Sequence, residues 1–107
     1  MIKKYTVKMT DEAIKDMEDI YNYISEELLS PQNALGQYNR IAEAILTLDE
    51  FPDRFGIFQS EPEHSWGMHK MVVDNYLVCY VIDDTFVTVT DVLYGASDIH
   101  NKLNERH

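Results

Sequence analysis

Hydrophobic and polar residues alternate at the start of the chain and then change to a helical spacing. Tyr5, Val7 and Met9 fall on one side of residues 3–9, which predicts a half-exposed β-strand. Thr10 stands where a helix N-cap belongs, and two acidic residues follow it in the first turn, where the helix dipole favours them. The pattern therefore predicts a strand that leads directly into a capped helix.

Two apolar stripes with spacings of three and four residues predict two successive helices. The first stripe is Ala13, Met17, Ile20, Ile24 and Leu28, and the second is Ala34, Tyr38, Ile41, Ile45 and Leu48. Between them, Ser30 and Pro31 suit the N-cap and the first position of the second helix. Because the connection is short, we expect the two helices to form an antiparallel hairpin.

The second half of the chain has the pattern of β-strands. Residues 53–66 show no periodicity and are expected to form a loop. Three apolar runs follow, at Met68–Val73, Tyr76–Ile82 and Phe86–Leu93, with short polar turns between them. Such spacing predicts an antiparallel meander, and the continuous middle run indicates a strand that is covered on both faces.

The order of the predicted elements is β-α-α-β-β-β, followed by a short C-terminal tail. In this tail Ser97 can cap a short helix that has Ile99 and Leu103 on its inner side. The order predicts an α+β fold in which the helical hairpin packs on one face of an antiparallel sheet. We expect one domain over residues 1–107, because the length leaves little room for two.

Composition and charge limit the classes of function. Nineteen acidic residues against nine basic ones give a net charge of −10, so direct DNA binding by this chain alone is not expected. A single cysteine, no signal peptide and no long apolar segment predict a reducing, cytoplasmic location without a membrane anchor. The histidine spacing predicts no metal site, and the absence of glycine-rich phosphate motifs predicts no cofactor.

Local strings over nearly the whole chain resemble the RelE/ParE superfamily of toxins from bacterial type II toxin–antitoxin modules. The strings are Y-x-V-x-x-T at 5–10, D-M-E-D-I-Y-N-Y-I at 16–24, I-x-x-x-I-x-x-L-D-E-F-P at 41–52, V-V-D-N-Y-L-V-C-Y-V-I-D-D at 72–84 and V-L-Y-G-A-S-D-I at 92–99. Their order and spacing carry the resemblance. The opening helix and the L-Y-G-x-x-D-I ending resemble the ParE branch more closely than RelE itself.

The resemblance implies a partner and a role. The partner is a cognate antitoxin whose C-terminal segment wraps the toxin, and the role is growth inhibition, which stabilises plasmids, when the antitoxin is degraded. RelE-like members cut messenger RNA in the ribosomal A site, whereas ParE-like members inhibit DNA gyrase and are not nucleases. Family toxins are commonly basic and this one is acidic. We therefore expect an antitoxin segment that carries additional Lys and Arg or binds mainly through apolar anchors.

The residues after Tyr94 bear on the choice between the two activities. Many relatives carry Arg-Arg after the Tyr-Gly pair, and this chain has Ala96-Ser97. Residues 66–99 offer only Lys70 and His69 as cations, which is little to offset the charge that builds on a phosphate during cleavage. We expect ParE-like inhibition of gyrase by protein contact. The alternatives are ribosome-dependent mRNA cleavage by His69, Lys70 and Tyr94, and an inactive antitoxin-binding module.

Four basic residues are candidates for contact with the target. Arg54 follows Phe-Pro-Asp, and it either anchors the hairpin to a carboxylate or contacts the target. The C-terminal region is implicated in the toxicity of ParE-like proteins, so the resemblance points to Lys102, Arg106 and His107. The alternative for these three residues is a frayed terminus without a function.

Overall fold

The computed structural model describes residues 2–107 and confirms the predicted order of elements. These elements are β1 Thr6–Met9, α1 Asp11–Asn22, a π-helical turn Tyr23–Glu27, α2 Pro31–Leu46, β2 His69–Val73, β3 Tyr76–Asp83, β4 Phe86–Tyr94 and α3 Ile99–Arg106. Short 3₁₀ turns at Thr47–Asp49 and Pro52–Arg54 connect α2 to the predicted loop. No helix in this described part of the chain is long and apolar enough to cross a membrane.

The sheet has four strands in the order β1-β4-β3-β2. The antiparallel meander of β2, β3 and β4 is confirmed. β1 lies parallel to β4, with Thr6 opposite Phe86 and Met9 opposite Val89, so the whole sheet is mixed rather than antiparallel. The helical hairpin carries the chain from β1 at one edge of the sheet to β2 at the other edge, and the meander then brings β4 back beside β1. β1 pairs with only the first half of β4, from Phe86 to Val89.

Capping side chains begin two of the helices. Thr10 Oγ1 accepts a hydrogen bond from the backbone N–H of Ala13 at 3.2 Å, as the sequence predicted. Ser30 occupies the N-cap of α2, but its side chain makes no capping hydrogen bond. The prediction that Ser97 caps the last helix was wrong, because α3 begins after Asp98, whose carboxylate accepts from the backbone N–H at the third helical position.

The sheet is buried on both faces, as the apolar middle run predicted. On one face the hairpin packs over a cluster that includes Ala13, Met17, Ile41, Ile45, Leu48, Val78, Tyr80, Val87, Val89 and Val92. On the other face α3 and the loop cover a second cluster, which consists of Phe58, Met68, Leu77, Cys79, Leu93 and Leu103. The fold thus has three layers, with the sheet in the middle.

Two residues of the predicted helical stripes lie outside this core. Leu28 is 57% exposed, because it follows the π-helical turn, whose wider winding changes the direction of the residues after it. Tyr38 is 36% exposed and packs edge-on against the ring of Tyr21, with the two ring centroids 6.3 Å apart. The prediction that both side chains face the sheet was wrong.

Candidate functional site

A groove of about 1150 Å³ runs between the helical hairpin and α3. Its walls come from α1, the π-helical turn and the first half of α2 on one side and from α3 on the other, and the last residues of β4 form its floor. Tyrosine and aliphatic side chains line part of it, and charged side chains line the rest. This groove is therefore a candidate for a binding site.

Three tyrosines belong to the groove: Tyr23, Tyr76 and Tyr94. Tyr94 pairs across strands with Tyr76, and their rings meet edge to face with centroids 5.8 Å apart. Burial raises the pKa of Tyr76 above its ordinary value. Tyr94 and Tyr23 remain 50% and 55% exposed. Rigid, half-exposed aromatic rings of this kind suit contact with another protein.

A cluster of charged residues lies at the C-terminal end of α3. Arg106 donates from both terminal nitrogens to Asp16, at 2.7 Å and 2.6 Å, and also to Asp91 at 2.9 Å. Both carboxylates are buried. Asp16 Oδ2 additionally accepts the backbone N–H of Val92 at 2.9 Å. The hydrogen bond with Asp16 is the largest cause that raises the pKa of Arg106, so the guanidinium keeps its charge. We call Asp16, Asp91, Arg106 and His107 the charge cluster.

The C-terminal residues are therefore part of the fold rather than a frayed end. His107 Nε2 lies 3.0 Å from the second oxygen of Asp91, and its ring contacts that of Trp66. His100 at the start of α3 approaches the buried Glu63 at 2.7 Å. Lys102 differs from these residues, because it lines the groove and has no ion-pair partner among residues 2–107. Of the predicted C-terminal target contacts, Lys102 is the one left available.

Arg54 holds the end of the hairpin through backbone carbonyls rather than through a carboxylate. Its guanidinium donates to the carbonyl oxygens of Glu50 at 2.7 Å and Phe51 at 3.0 Å, and to Thr47 Oγ1 at 2.9 Å. It also lies over the ring of Phe55. The two carbonyls lie just past the C-terminal end of α2, where backbone acceptors lack helical partners. The structure thus supplies the anchoring role for Arg54, and its contact with a target stays a prediction.

The three candidate nuclease residues do not converge. His69 and Lys70 point to opposite faces of β2, as predicted from their adjacency: His69 stacks on the ring of Tyr80, and Lys70 lies over the ring of Phe58. Tyr94 pairs with Tyr76, which is four residues along β3 from Tyr80. Four residues of strand span about 13 Å. Within residues 2–107 no group of three or more His, Cys, Asp or Glu side chains is arranged for a metal ion.

His69 is further fixed by the loop before β2. Its Nδ1 donates to the carbonyl of Phe55 at 2.7 Å, and the Tyr80 ring stacks on it with centroids 5.1 Å apart and planes inclined by 14°. The Tyr80 hydroxyl donates to the carbonyl of Pro52 at 2.5 Å. The arrangement joins the loop to the sheet, and neither donor is free for another partner.

Tyr80→Phe is expected to lower the free energy of unfolding at neutral pH by about 1–3 kcal/mol, because the buried carbonyl of Pro52 loses its donor. Burial raises the pKa of Tyr80 to about 12. The protonated hydroxyl therefore contributes stability that is complete below the unfolded pKa of about 10 and is lost as the pH rises towards 12. Denaturation at neutral and alkaline pH checks both effects.

The control for Tyr80→Phe is Tyr38→Phe, since the Tyr38 hydroxyl lies on a partly exposed ring outside this network. Spectrophotometric titration should show one more late-ionising tyrosine in the unmodified chain and in Tyr38→Phe than in Tyr80→Phe, because the pKa of Tyr76 is also raised. Equal alkaline stability curves for Tyr80→Phe and the unmodified chain would contradict the assignment.

Asp16 and Asp91 were not predicted as site residues. A clue was present in the sequence, since Asp91 interrupts the apolar run of β4 and Asp16 adjoins the stripe residue Met17. A charged residue inside an apolar pattern indicates a buried partner. The partner itself could not be identified, because Arg106 is 90 residues away from Asp16.

Comparison with known proteins agrees with this fold. Residues 7–99 match the family model described as ParE toxin of type II toxin-antitoxin system, parDE. No curated protein sequence matches the chain. A solved structure of the chromosomal ParDE system from P. aeruginosa is 18% identical, with a TM-score of 0.72, over 86% of this chain and 97% of that chain.

Two further solved structures share the fold. One is the RelBE2 toxin-antitoxin complex from Mycobacterium tuberculosis, with 22% identity and a TM-score of 0.61 over 85% of this chain and 98% of that chain. The other is the archaeal RelE-RelB complex from Pyrococcus horikoshii OT3, with 17% identity and a TM-score of 0.57 over 87% of this chain and 97% of that chain. Since the family model spans most of the present sequence, the chain belongs to the ParE toxin family of type II toxin–antitoxin systems.

Proposed function

We propose that this toxin is neutralised by a cognate antitoxin and inhibits DNA gyrase by protein contact, without catalysing a reaction. The ParE family model supports the choice of gyrase, because inhibition of that enzyme is the activity that the ParE resemblance implies. Solved relatives named as toxin–antitoxin complexes support an antitoxin partner.

The observation that carries the non-catalytic mechanism is the separation of His69, Lys70 and Tyr94. Cleavage of RNA by attack of a 2′-hydroxyl needs a base and an acid within hydrogen-bond reach of one phosphate, together with cations that offset its charge. His69 is held by the loop, Lys70 lies on the opposite face, and Tyr94 is at the far end of the meander. A net charge of −10 also opposes approach to ribosomal RNA.

A supercoiling assay with purified gyrase tests the proposal. The chain is expected to inhibit supercoiling, and addition of the antitoxin is expected to restore it. In parallel, messenger RNA on programmed ribosomes is expected to stay intact. Codon-dependent cuts would instead support the RelE-like alternative, and His69→Ala, Lys70→Ala and Tyr94→Phe would then be compared.

Growth arrest on expression distinguishes an active toxin from an inactive antitoxin-binding module. A chain that arrests growth and leaves messenger RNA intact fits the gyrase proposal. A folded chain that binds antitoxin but neither arrests growth nor inhibits gyrase would be an inactive binding module, and the proposal would fail.

A further inference from the structure

We propose that a small cleft between α1 and α2 is the surface with which this toxin contacts gyrase, and that the cleft receives an apolar side chain from a basic region of that enzyme. The inference rests on the proposed function, because it takes gyrase as the target. It adds the place of contact on this chain and the chemistry of the partner surface.

The cleft is separate from the groove beside α3, and the two surfaces share no lining residue. Two of its lining residues, Met17 and Ile45, are buried members of the core cluster beneath the hairpin. The others surround these two, and they are Met9, Ile14, Glu18, Tyr38, Ala42 and Leu46. We call this surface the hairpin cleft.

The size and lining of the hairpin cleft suit one apolar side chain of a partner protein. Its volume of about 240 Å³ lies below the roughly 300–1,000 Å³ that is usual for small-molecule sites. Among the lining residues in the described part of the chain, Glu18 is the one that carries a charge. Because the remaining surface is apolar, an apolar side chain gains most by entering it.

Large apolar side chains are exposed around the hairpin cleft. Ile14 is 46% exposed, Tyr38 36% and Leu46 67%. Single exposed apolar residues are common on protein surfaces, but a group of them around one concavity is typical of a protein interface. Leu46 buries little of its side chain in the fold, so the packing of the hairpin does not require a leucine at this position.

The rim of the hairpin cleft is acidic. Glu18 lines it, Asp11 lies one helical turn before Ile14, and Glu43 lies one turn before Leu46. All three carboxylates are exposed, and none has an ion-pair partner within residues 2–107. A basic partner surface therefore complements this rim.

The cations of the hairpin do not offset this acidic rim. Residues 11–46 contain Lys15 and Arg40 as their basic residues. Lys15 pairs with Asp19 at 3.3 Å, and Arg40 pairs with Asp74 at 2.8 Å. Each cation is thus matched by a carboxylate of its own, and the three rim carboxylates remain as excess negative charge.

This chemistry fits gyrase better than a second copy of the chain. Two copies would place one acidic rim against another, and like charges across an interface cost binding energy. A protein that binds DNA presents lysine and arginine side chains to the phosphates. An enzyme that acts on DNA therefore offers basic surfaces, and attraction between opposite charges accelerates association with an acidic partner.

Charge reversal on the rim tests the sign of the partner surface. Glu18→Lys and Glu43→Lys are each expected to raise the Kd for purified gyrase about tenfold at low salt, with a smaller effect at high salt. The control is Asp83→Lys, which makes the same change of net charge at an exposed residue at the end of β3, outside the hairpin cleft. It should change the Kd by less than about twofold.

A neutral substitution tests the location. Leu46→Ala is expected to raise the Kd for gyrase, and the concentration that halves supercoiling, at least about tenfold. Leu29→Ala removes an equally large side chain from an 82% exposed residue that does not line the cleft, and should leave both quantities unchanged. Circular dichroism, unfolding midpoints and unaltered antitoxin binding show that the variants are folded.

The possible results separate the inference from the proposed function. If the unmodified chain binds gyrase but Glu18→Lys, Glu43→Lys and Leu46→Ala bind it equally well, the inference alone is overturned. Tighter binding of the two lysine variants, or a loss of antitoxin binding without a loss of gyrase binding, would also overturn it. Absence of gyrase binding by the unmodified chain would overturn the proposed target as well.

Discussion

Arg106→Ala is expected to lower the free energy of unfolding by about 3 kcal/mol, because it leaves two buried carboxylates without their guanidinium. Asp16 and Asp91 come from α1 and β4, and Arg106 joins both to α3. The loss of one partner from a buried pair costs about 3–5 kcal/mol, and the 30% exposure of the Arg106 side chain places this case at the lower end. Chemical denaturation followed by circular dichroism measures the change.

Lys102→Ala is the matched control for Arg106→Ala, because it removes a cation from the same helix. Its side chain is exposed, so the free energy of unfolding should change by no more than about 0.5 kcal/mol. The loss in free energy of unfolding for Arg106→Lys should lie between those of Arg106→Ala and Lys102→Ala, since an ammonium cannot make the paired hydrogen bonds of a guanidinium. Equal stability of Arg106→Ala and Lys102→Ala would show that the charge cluster does not hold α3.

Leu103→Ala is expected to destabilise the protein by about 3 kcal/mol and to expose Cys79. Leu103 is fully buried and provides the apolar contact of α3 with the second core cluster, to which Cys79 also belongs. An eight-residue helix is not stable by itself, so α3 depends on this contact. Burial also raises the pKa of the Cys79 thiol, which keeps it unreactive in the folded chain.

Thiol labelling under native conditions measures the exposure of Cys79. If α3 must open before Cys79 reacts, a loss of about 3 kcal/mol accelerates labelling about 100-fold. Leu46→Ala removes an exposed leucine of α2 and should change neither stability nor labelling. A large loss of stability in Leu103→Ala without faster labelling would mean that α3 does not protect Cys79.

The predicted elements were most accurate where the signal is local. Thr10 caps α1 because a cap depends on neighbouring residues, and β3 is buried on both faces as its uninterrupted apolar run indicates. The prediction that Leu28 is buried was wrong because the π-helical turn changes the winding of the helix, which the spacing of apolar residues does not reveal. The parallel pairing of β1 with β4 likewise depends on the path of the hairpin rather than on either strand.

The predictions of site residues show the same division between local and long-range features. Arg106 and His107 were predicted as target contacts from their charge and position, but the fold places them against Asp16 and Asp91, which are distant in sequence. The sequence suggested a catalytic group of His69, Lys70 and Tyr94 only because these residue types suit catalysis. Their actual directions follow from the pleat of β2 and the register of the meander.

The sequence by itself determined the element order, the α+β class, the family resemblance and the acidic surface, because apolar periodicity, capping and charge are properties of neighbouring residues. Only the tertiary structure decided which charges are buried, that α3 closes the second face of the sheet, and that a tyrosine-lined groove remains beside it. The physical reason is that ion pairs and grooves join residues far apart in the chain, and their energies depend on burial that exists only after folding.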